Sequence, residues 1–290
     1  MSEQSGVNSP HLDTQERKQA QDNTNLSALV IHEIVRGQGE QELERSFSGL
    51  AWSGLAAGLS IGFSFIAESY LQAALPHAPW ARLVSSFGYC LGFLIVILGQ
   101  QQLYTETTLT ALIPALTRRN LATLLSTLRV WGVVLAANLV GTWIFAAVAS
   151  RPGIFSPAAY NAMDTLSADV MAHPFWHTAT NGVFAGWLIG LMVWLLPGAG
   201  PARPLIIILL TYIVAVCGFP HAIAGSVEAA YGVFTGHASV VDYLWRFFAP
   251  TVLGNTVAGT ALVALLNHAP IAGELDGTGG RDRVKHSSAG

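Results

Sequence analysis

Charge is the scarcest property of this chain. Lys, Arg, Asp and Glu together make up 11% of its 290 residues, while hydrophobic residues make up 52%. Soluble domains carry roughly 25% charged residues, and a soluble protein of this length has no means of hiding so much apolar surface. A bilayer does, because its core takes about 20 apolar residues per helical span. Cysteine is scarce as well. Cys90 and Cys217 are the two in the chain, both inside apolar stretches, which favours packing roles over a disulfide. The N-terminus has no succession of basic, apolar and small-residue regions, so no signal peptide is expected there. With a net charge of −3 and no basic run, nucleic acid is excluded as a partner.

What is present is apolar sequence in blocks. Six long windows lack acidic and basic residues, and they place membrane spans at 47–73, 82–115, 130–150, 176–197, 204–235 and 247–268. Residues 1–25 and 269–290 are polar or Gly-rich and are expected to be disordered tails. Between the first tail and the first span, 26–46 opens with apolar residues at helical spacing and predicts an amphipathic surface helix. Arg36, Arg45, Arg118, Arg119, Arg129 and Arg203 fall on one face of this topology, and Arg82, Arg151 and Arg246 on the other. The positive-inside rule then puts both termini in the cytoplasm. Trp80, Trp131, Trp176 and Trp245 sit near span ends, as interfacial anchors do.

The chain also repeats itself. Gly54-x3-Gly58-x3-Gly62 in the first span corresponds to Gly182-x3-Gly186-x3-Gly190 in the fourth. Pro79-Trp-Ala-Arg82 precedes the second span and Pro201-Ala-Arg203 the fifth. The third span carries Asn138-Leu-Val-Gly-Thr142, and the sixth carries Asn255-Thr-Val-Ala-Gly-Thr260. The halves, about 47–150 and 176–268, hold three spans each. An odd number obliges the second half to enter from the opposite side, the inverted-repeat design of transport proteins. The glycine ladders themselves serve close helix packing.

The second and fifth spans are interrupted. Polar Gly99-Gln-Gln-Gln-Leu-Tyr-Thr-Glu-Thr-Thr108 follows Leu98, and Gly218-Phe219-Pro220-His221 follows Cys217. Pro220 lacks an N–H and disfavours helix at Phe219. Irregular backbone at membrane depth survives only where protein buries it or a cavity runs beside it. The fold class is therefore an all-α membrane protein of six transmembrane helices in two inverted three-helix repeats, with the second and fifth helices broken. Unpaired N–H groups at the half-helix N-termini are expected to face a central pathway, where Thr105 and His221 meet. An imidazole there can donate to an anion or exchange a proton near neutral pH.

These residues resemble the formate/nitrite transporter (FNT) family. The resemblance rests on Gln102-Leu-Tyr-Thr-Glu106, Gly218-Phe-Pro-His-Ala-Ile-Ala224, Asn138-x2-Gly141 and Ala249-Pro-Thr-Val-Leu-Gly-Asn255. Gly49-Leu-Ala-Trp-Ser-Gly-Leu-Ala-Ala-Gly-Leu-Ser60 with Ala67-Glu68 is similar to its YfdC-like branch. The resemblance implies an aquaporin-like protomer and a homopentamer in a bacterial inner membrane. It also implies a channel or transporter for a small monovalent anion or its weak acid, such as formate or nitrite, with no cofactor. It makes Thr105 and His221 the central polar pair and puts Tyr89, Phe93, Leu103, Tyr104, Val214 and Phe219 on the pathway. Where relatives carry a lysine near the outer start of the fourth span, this chain has Val170; Gly186, Pro220 and Gly225 replace polar family residues. In exchange it adds Glu68, Glu106 and Glu228, which are candidate pore acids. If ionised in the pathway, they would favour cations or protonated acids.

Other classes have thinner support. His173 and His177 have the spacing of a metal-ligand pair, but they flank Pro174 at a span end with no third ligand evident. No nucleophile elbow or metalloprotease helix occurs, so neither a catalytic residue nor a metal is expected. A cation or neutral-solute pore of the same fold, or a non-conducting membrane scaffold, are the alternatives.

Overall fold

The computed structural model describes residues 26–265; the two expected tails and positions 266–268 of the last span lie outside them. The first helix among the described residues is the amphipathic α1 (Ala28–Glu44), whose N-cap Ser27 accepts from the Val30 amide at 3.3 Å. Its buried Val35 packs with Leu109, Ile113, Val193 and Trp194, a small apolar cluster separate from the main core. Around it run ion pairs from Arg36 to Glu33 and Glu40, and from Arg118 to Glu40. Arg129 donates to the Leu43 carbonyl at 2.6 Å, so several arginines assigned to one face do gather at one end of the molecule.

The apolar windows become helices. Among the described residues four are long and apolar enough to cross a membrane: α2 (Phe47–Ala74), α3 (Ala81–Leu98), α6 (Leu121–Ala149) and α8 (Phe175–Leu195), the last continued to Gly198. After α3 the chain breaks and resumes as α4 (Tyr104–Thr110) and α5 (Leu112–Arg118). A second interruption separates α9 (Arg203–Val216) from α10 (Ala224–Phe234). The last stretch changes pitch along its length. It is α-helical at Val240–Asp242, π-helical at Tyr243–Phe248, α-helical at α11 (Ala249–Val257) and π-helical again at Ala258–Leu265. Pro250, in the first turn of α11, has no N–H to give, and wide turns accompany such a missing donor. Among the described residues there is no strand.

Two features depart from the sequence reading. The third apolar helix starts at Leu121 and not near 130, because α6 continues past the charge-free window with Arg129 on its flank and Asn120 as its N-cap. An additional helix, α7 (Pro157–Val170), lies between α6 and α8. Its mixed composition hid it, although Ser156-Pro157 is a good helix start and Ser156 caps the Ala159 amide. Val170 is the last residue of α7, ahead of the start of α8 at Phe175.

Backbone contact between α2 and α6 depends on Gly58, where a Cβ would lie 2.2 Å from the Asn138 carbonyl oxygen. Gly186 on α8 stands in the same relation to α11, with a Cβ 2.5 Å from the Asn255 carbonyl oxygen. Neither position admits a side chain. That proximity lets each asparagine reach the interrupted chain beyond.

Candidate functional site

The two interruptions are closed in the same manner. The Gln101 amide donates to the Val96 carbonyl and the Phe219 amide to the Val214 carbonyl, both at 3.0 Å across a wide turn. The residue just before each amide is left-handed: Gln100 at φ 53° and Gly218 at φ 66°. Such a turn satisfies the last carbonyls of a helix. Glycine adopts it freely, whereas glutamine does so at a cost of roughly 1 kcal/mol.

Beyond each turn one buried asparagine holds the chain. Asn138 Oδ1 accepts from the Tyr104 amide at 2.9 Å, and its Nδ2 donates to the Gly54 and Gln102 carbonyls at 2.7 and 2.9 Å. Asn255 Oδ1 accepts from the Ala222 amide at 2.9 Å, and its Nδ2 donates to the Gly182 and Pro220 carbonyls at 2.7 and 3.1 Å. Each amide side chain therefore binds the neighbouring helix and the backbone on either side of one residue beyond the turn, Leu103 or His221. The Gln102 amide is held by Ser53 Oγ at 3.1 Å.

His221 caps α10. Its Nδ1 accepts from the Ile223 and Ala224 amides at 3.3 and 3.2 Å, and its Nε2 lies 2.7 Å from Thr105 Oγ1. An Nδ1 that accepts from two N–H groups carries no proton, so the ring hydrogen is on Nε2 and is donated to Thr105. Thr105 and His221 are both 1% exposed. The expected unpaired N–H groups at the half-helix N-termini are thus corrected at Tyr104, Ala222, Ile223 and Ala224, which side chains satisfy. An N–H without a partner is costly where water cannot reach it.

Apolar rings enclose this pair. The Phe93 ring meets His221 edge-on at a centroid separation of 5.0 Å, and Tyr89 follows at 5.2 Å from Phe93. Leu103, Phe93 and Val214 are wholly buried, and Phe219 stacks on Phe184. The Tyr104 hydroxyl lies 2.8 Å from Thr256 Oγ1.

On one side of the pair opens a cavity of about 780 Å³ that reaches down to His221. Tyr89, Val214 and Phe219 line it, as do Glu68 and Glu228, along with Asp169 and Arg82. Glu106 does not. It lies on the side of α1, within reach of the charges of Glu42 and Arg203, so the three candidate acids belong to two different places. His173 and His177 stand at the cavity mouth with ring centroids 4.2 Å apart. No group of three or more His, Cys, Asp or Glu able to hold a metal occurs among the described residues. Cys90 is buried and Sγ lies 3.5 Å from the Ile208 carbonyl, but Cys217 is exposed in the cavity wall, which corrects its expected packing role. It ends α9 at the break, where no neighbouring helix covers it.

Sequence reading missed Arg82, Asp169 and the capping work of the asparagines. Arg82 Nη2 donates to the Ala215 carbonyl at 3.1 Å, a cation on the C-terminal turn of α9. The shared Pro/Arg motif before the two broken segments was the available signal.

At the opposite end α1 reaches under the first break. Glu42 accepts from Thr110 Oγ1 at 2.6 Å and from Gln102 Nε2 at 3.5 Å. Burial pushes its carboxyl up to about 7, against smaller opposing effects of Thr110, Gln102 and Arg45. The docked state thus binds a proton that the undocked carboxylate, near 4.5, has released. Stability from this contact is full below about 4.5 and declines as pH rises through about 7. Amides of α1 should therefore lose hydrogen-exchange protection across that window, after correction for intrinsic rates. Glu42→Gln should flatten the dependence.

Apolar helices interrupted at two capped junctions, meeting at a buried polar pair beneath a solvent-sized cavity, define a membrane channel or transporter. The chain belongs to the formate/nitrite transporter family, whose model matches residues 29–269. It is 40% identical over 248 residues to the inner membrane protein YfdC of Escherichia coli, covering 86% of this chain and 80% of that one. It is 26% identical to the formate channel FocA of Haemophilus influenzae, covering 73% and 83%. In fold it is similar to an FNT family ion channel, with TM-score 0.70 and 19% identity over 81% of this chain and 96% of that one. A pentameric formate channel with formate bound gives 0.66 and 20% identity, over 78% and 98%.

Proposed function

We propose that this protein is an FNT-type channel or transporter for a small monovalent anion or its conjugate weak acid, of the formate or nitrite kind. The observation that carries this is the Thr105–His221 contact between the two capped breaks at the floor of the cavity. In this reading the chain has six spans in two inverted repeats. Its support is the matched use of Asn138 and Asn255, of Gln100 and Gly218, and of Gly58 and Gly186. The fold supports an aquaporin-like protomer, and the pentameric relative supports a homopentamer with one pathway per subunit. The named inner-membrane relative and the gathered arginines favour a bacterial inner membrane with cytoplasmic termini.

Solute passes along Tyr89, Val214 and Phe219, then Phe93, Leu103 and the central pair. His221 serves it through Nε2–H, the donor left once Nδ1 is committed to α10; a proton given up by that nitrogen has to be replaced at Nδ1, at the expense of the cap on α10. A small anion displacing Thr105 gains this donor in a setting free of competing water. In proteoliposomes of purified protein, formate, nitrite, acetate or lactate should cross at some pH between about 5 and about 8, the range in which weak-acid and imidazole protonation both change. Absence of flux for all four throughout would overturn the substrate class.

A second reading, a cation or neutral-solute pore, draws on the acidic lining of the cavity by Glu68, Asp169 and Glu228. It requires reversal potentials that follow cation gradients and collapse in Glu68→Gln/Glu228→Gln. Currents that stay anion-selective in that double variant remove it.

A further inference from the structure

Glu68 and Glu228 are 7% and 9% exposed, and both line the cavity above His221. Among the described residues neither carboxyl group makes a hydrogen bond or an ion pair. A buried carboxyl normally has a donor set that holds it ionised. These two have open cavity in front of them and Arg82 in the same wall. Arg82 spends one N–H on Ala215 and makes no ion pair among the described residues. The remaining guanidinium donors can receive an anion.

Resting on the weak-acid reading above, we propose that Glu228, assisted by Glu68 and Arg82, is a proton-loading site that protonates the solute before it enters the apolar constriction. Arg82 takes the anion. The O–H bond of the Glu228 carboxyl breaks, and a lone pair on the substrate oxygen forms the new O–H bond. The neutral acid passes Tyr89 and Phe93 without carrying charge into an apolar ring. Glu228 is left as a carboxylate beside Arg82 and regains its proton from hydronium on the cavity side. One proton and one anion move together, and charge balances.

The surroundings of Glu228 contain the parts this needs. Facing it are Glu68 from α2, Arg82 and Tyr89 from α3, Asp169 from α7, His221 at the break, and His173 and His177 at the mouth. Of the other neighbours, Asp164 on α7 lies 3.4 Å from His237, away from the cavity lining. The Tyr243 hydroxyl is 3.0 Å from Ser226 Oγ. The membrane part of α6, 130–149, has no acidic, basic or His residue. His221 itself cannot accept a proton at Nδ1 without losing the cap on α10, which leaves the carboxyl groups as the available exchangers.

The experiment is formate uptake into proteoliposomes with a pH dye inside, on the full-length protein. Wild type should bring in one proton per formate, with uptake falling as outside pH rises. Glu228→Gln should lower uptake by about tenfold or more and flatten the pH profile, the scale of a lost acid–base group. Glu228→Asp should recover part of the rate with a displaced pH midpoint, and Glu68→Gln should shift the midpoint less. If Glu228→Gln fails to assemble, Glu228→Asp and Glu68→Gln decide the matter, and wild-type profiles in both overturn the proposal. Wild-type rates and pH profile in Glu228→Gln overturn it as well, as does formate uptake without protons in wild type. The last result leaves the proposed function standing in its anion form, whereas no wild-type flux at any pH ends the proposed function itself. Equal labelling of Cys217 by an impermeant maleimide verifies that the cavity is intact in each variant.

Discussion

Asn138→Ala should lower the stability of the folded protein by about 3–5 kcal/mol, the range seen when a buried hydrogen-bond network is broken. The substitution removes three bonds at once and leaves the Tyr104 amide and the Gly54 and Gln102 carbonyls without that partner. These groups lie between packed helices, where water replaces a lost partner poorly. Asn255→Ala should cost a similar amount, because Ala222, Gly182 and Pro220 depend on it in the same manner. Asn138→Asp should be intermediate, since Oδ1 survives while the donor to two carbonyls is lost. Thermal unfolding of the detergent-solubilised protein is the direct measure. A loss under about 1 kcal/mol for either alanine variant would show that the breaks are held by helix packing and not by the asparagines.

The second large effect separates the two jobs of His221. His221→Asn should keep α10 capped, because an asparagine oxygen can accept from the following amides. It should remove the donor that points at Thr105. His221→Ala should lose both, with a stability penalty of about 1–2 kcal/mol for the cap alone. In formate flux, both variants should change rate by roughly an order of magnitude and alter its pH dependence, as expected when a donor on the permeating anion is lost. Unfolding distinguishes the variants, and flux does not. If His221→Asn transports as wild type across pH, the histidine is a helix cap and nothing more.

Much of this was legible in the amino-acid order, for physical reasons that also set the limits. Charge-free windows marked the apolar helices because a bilayer admits few ionised groups, and polar residues inside those windows marked both interruptions. The break at Gly218-Phe-Pro declared itself, since glycine and proline punctuate helices. The break at Gln100 was visible only as polarity; nothing about glutamine announces a left-handed backbone. Asn138 and Asn255 stood out as repeated positions, yet their partners are distant in sequence and appear only when helices pack. Helix α7 is not marked by a long charge-free apolar run: it carries Asp164 and Asp169, and its buried face is made of the small or polar Ala159, Ala162 and Ser167 with Met163. The expected bare N-termini were the largest misreading. An unpaired amide is an advantage for anion binding only if folding leaves it empty, and here four of them are occupied.

One consequence follows from where α1 lies. It touches the Trp194 end of α8 through His32, the first break through Glu42, and α6 through the Leu43 carbonyl. A transporter that works by rocking one bundle against another needs a seam that can shear. This helix joins the first half, held through Glu40–Arg118 and Leu43–Arg129, to α8 of the second half at Val193 and Trp194. Any movement of α8 against α6 would therefore first have to break the contacts of α1 with one or the other.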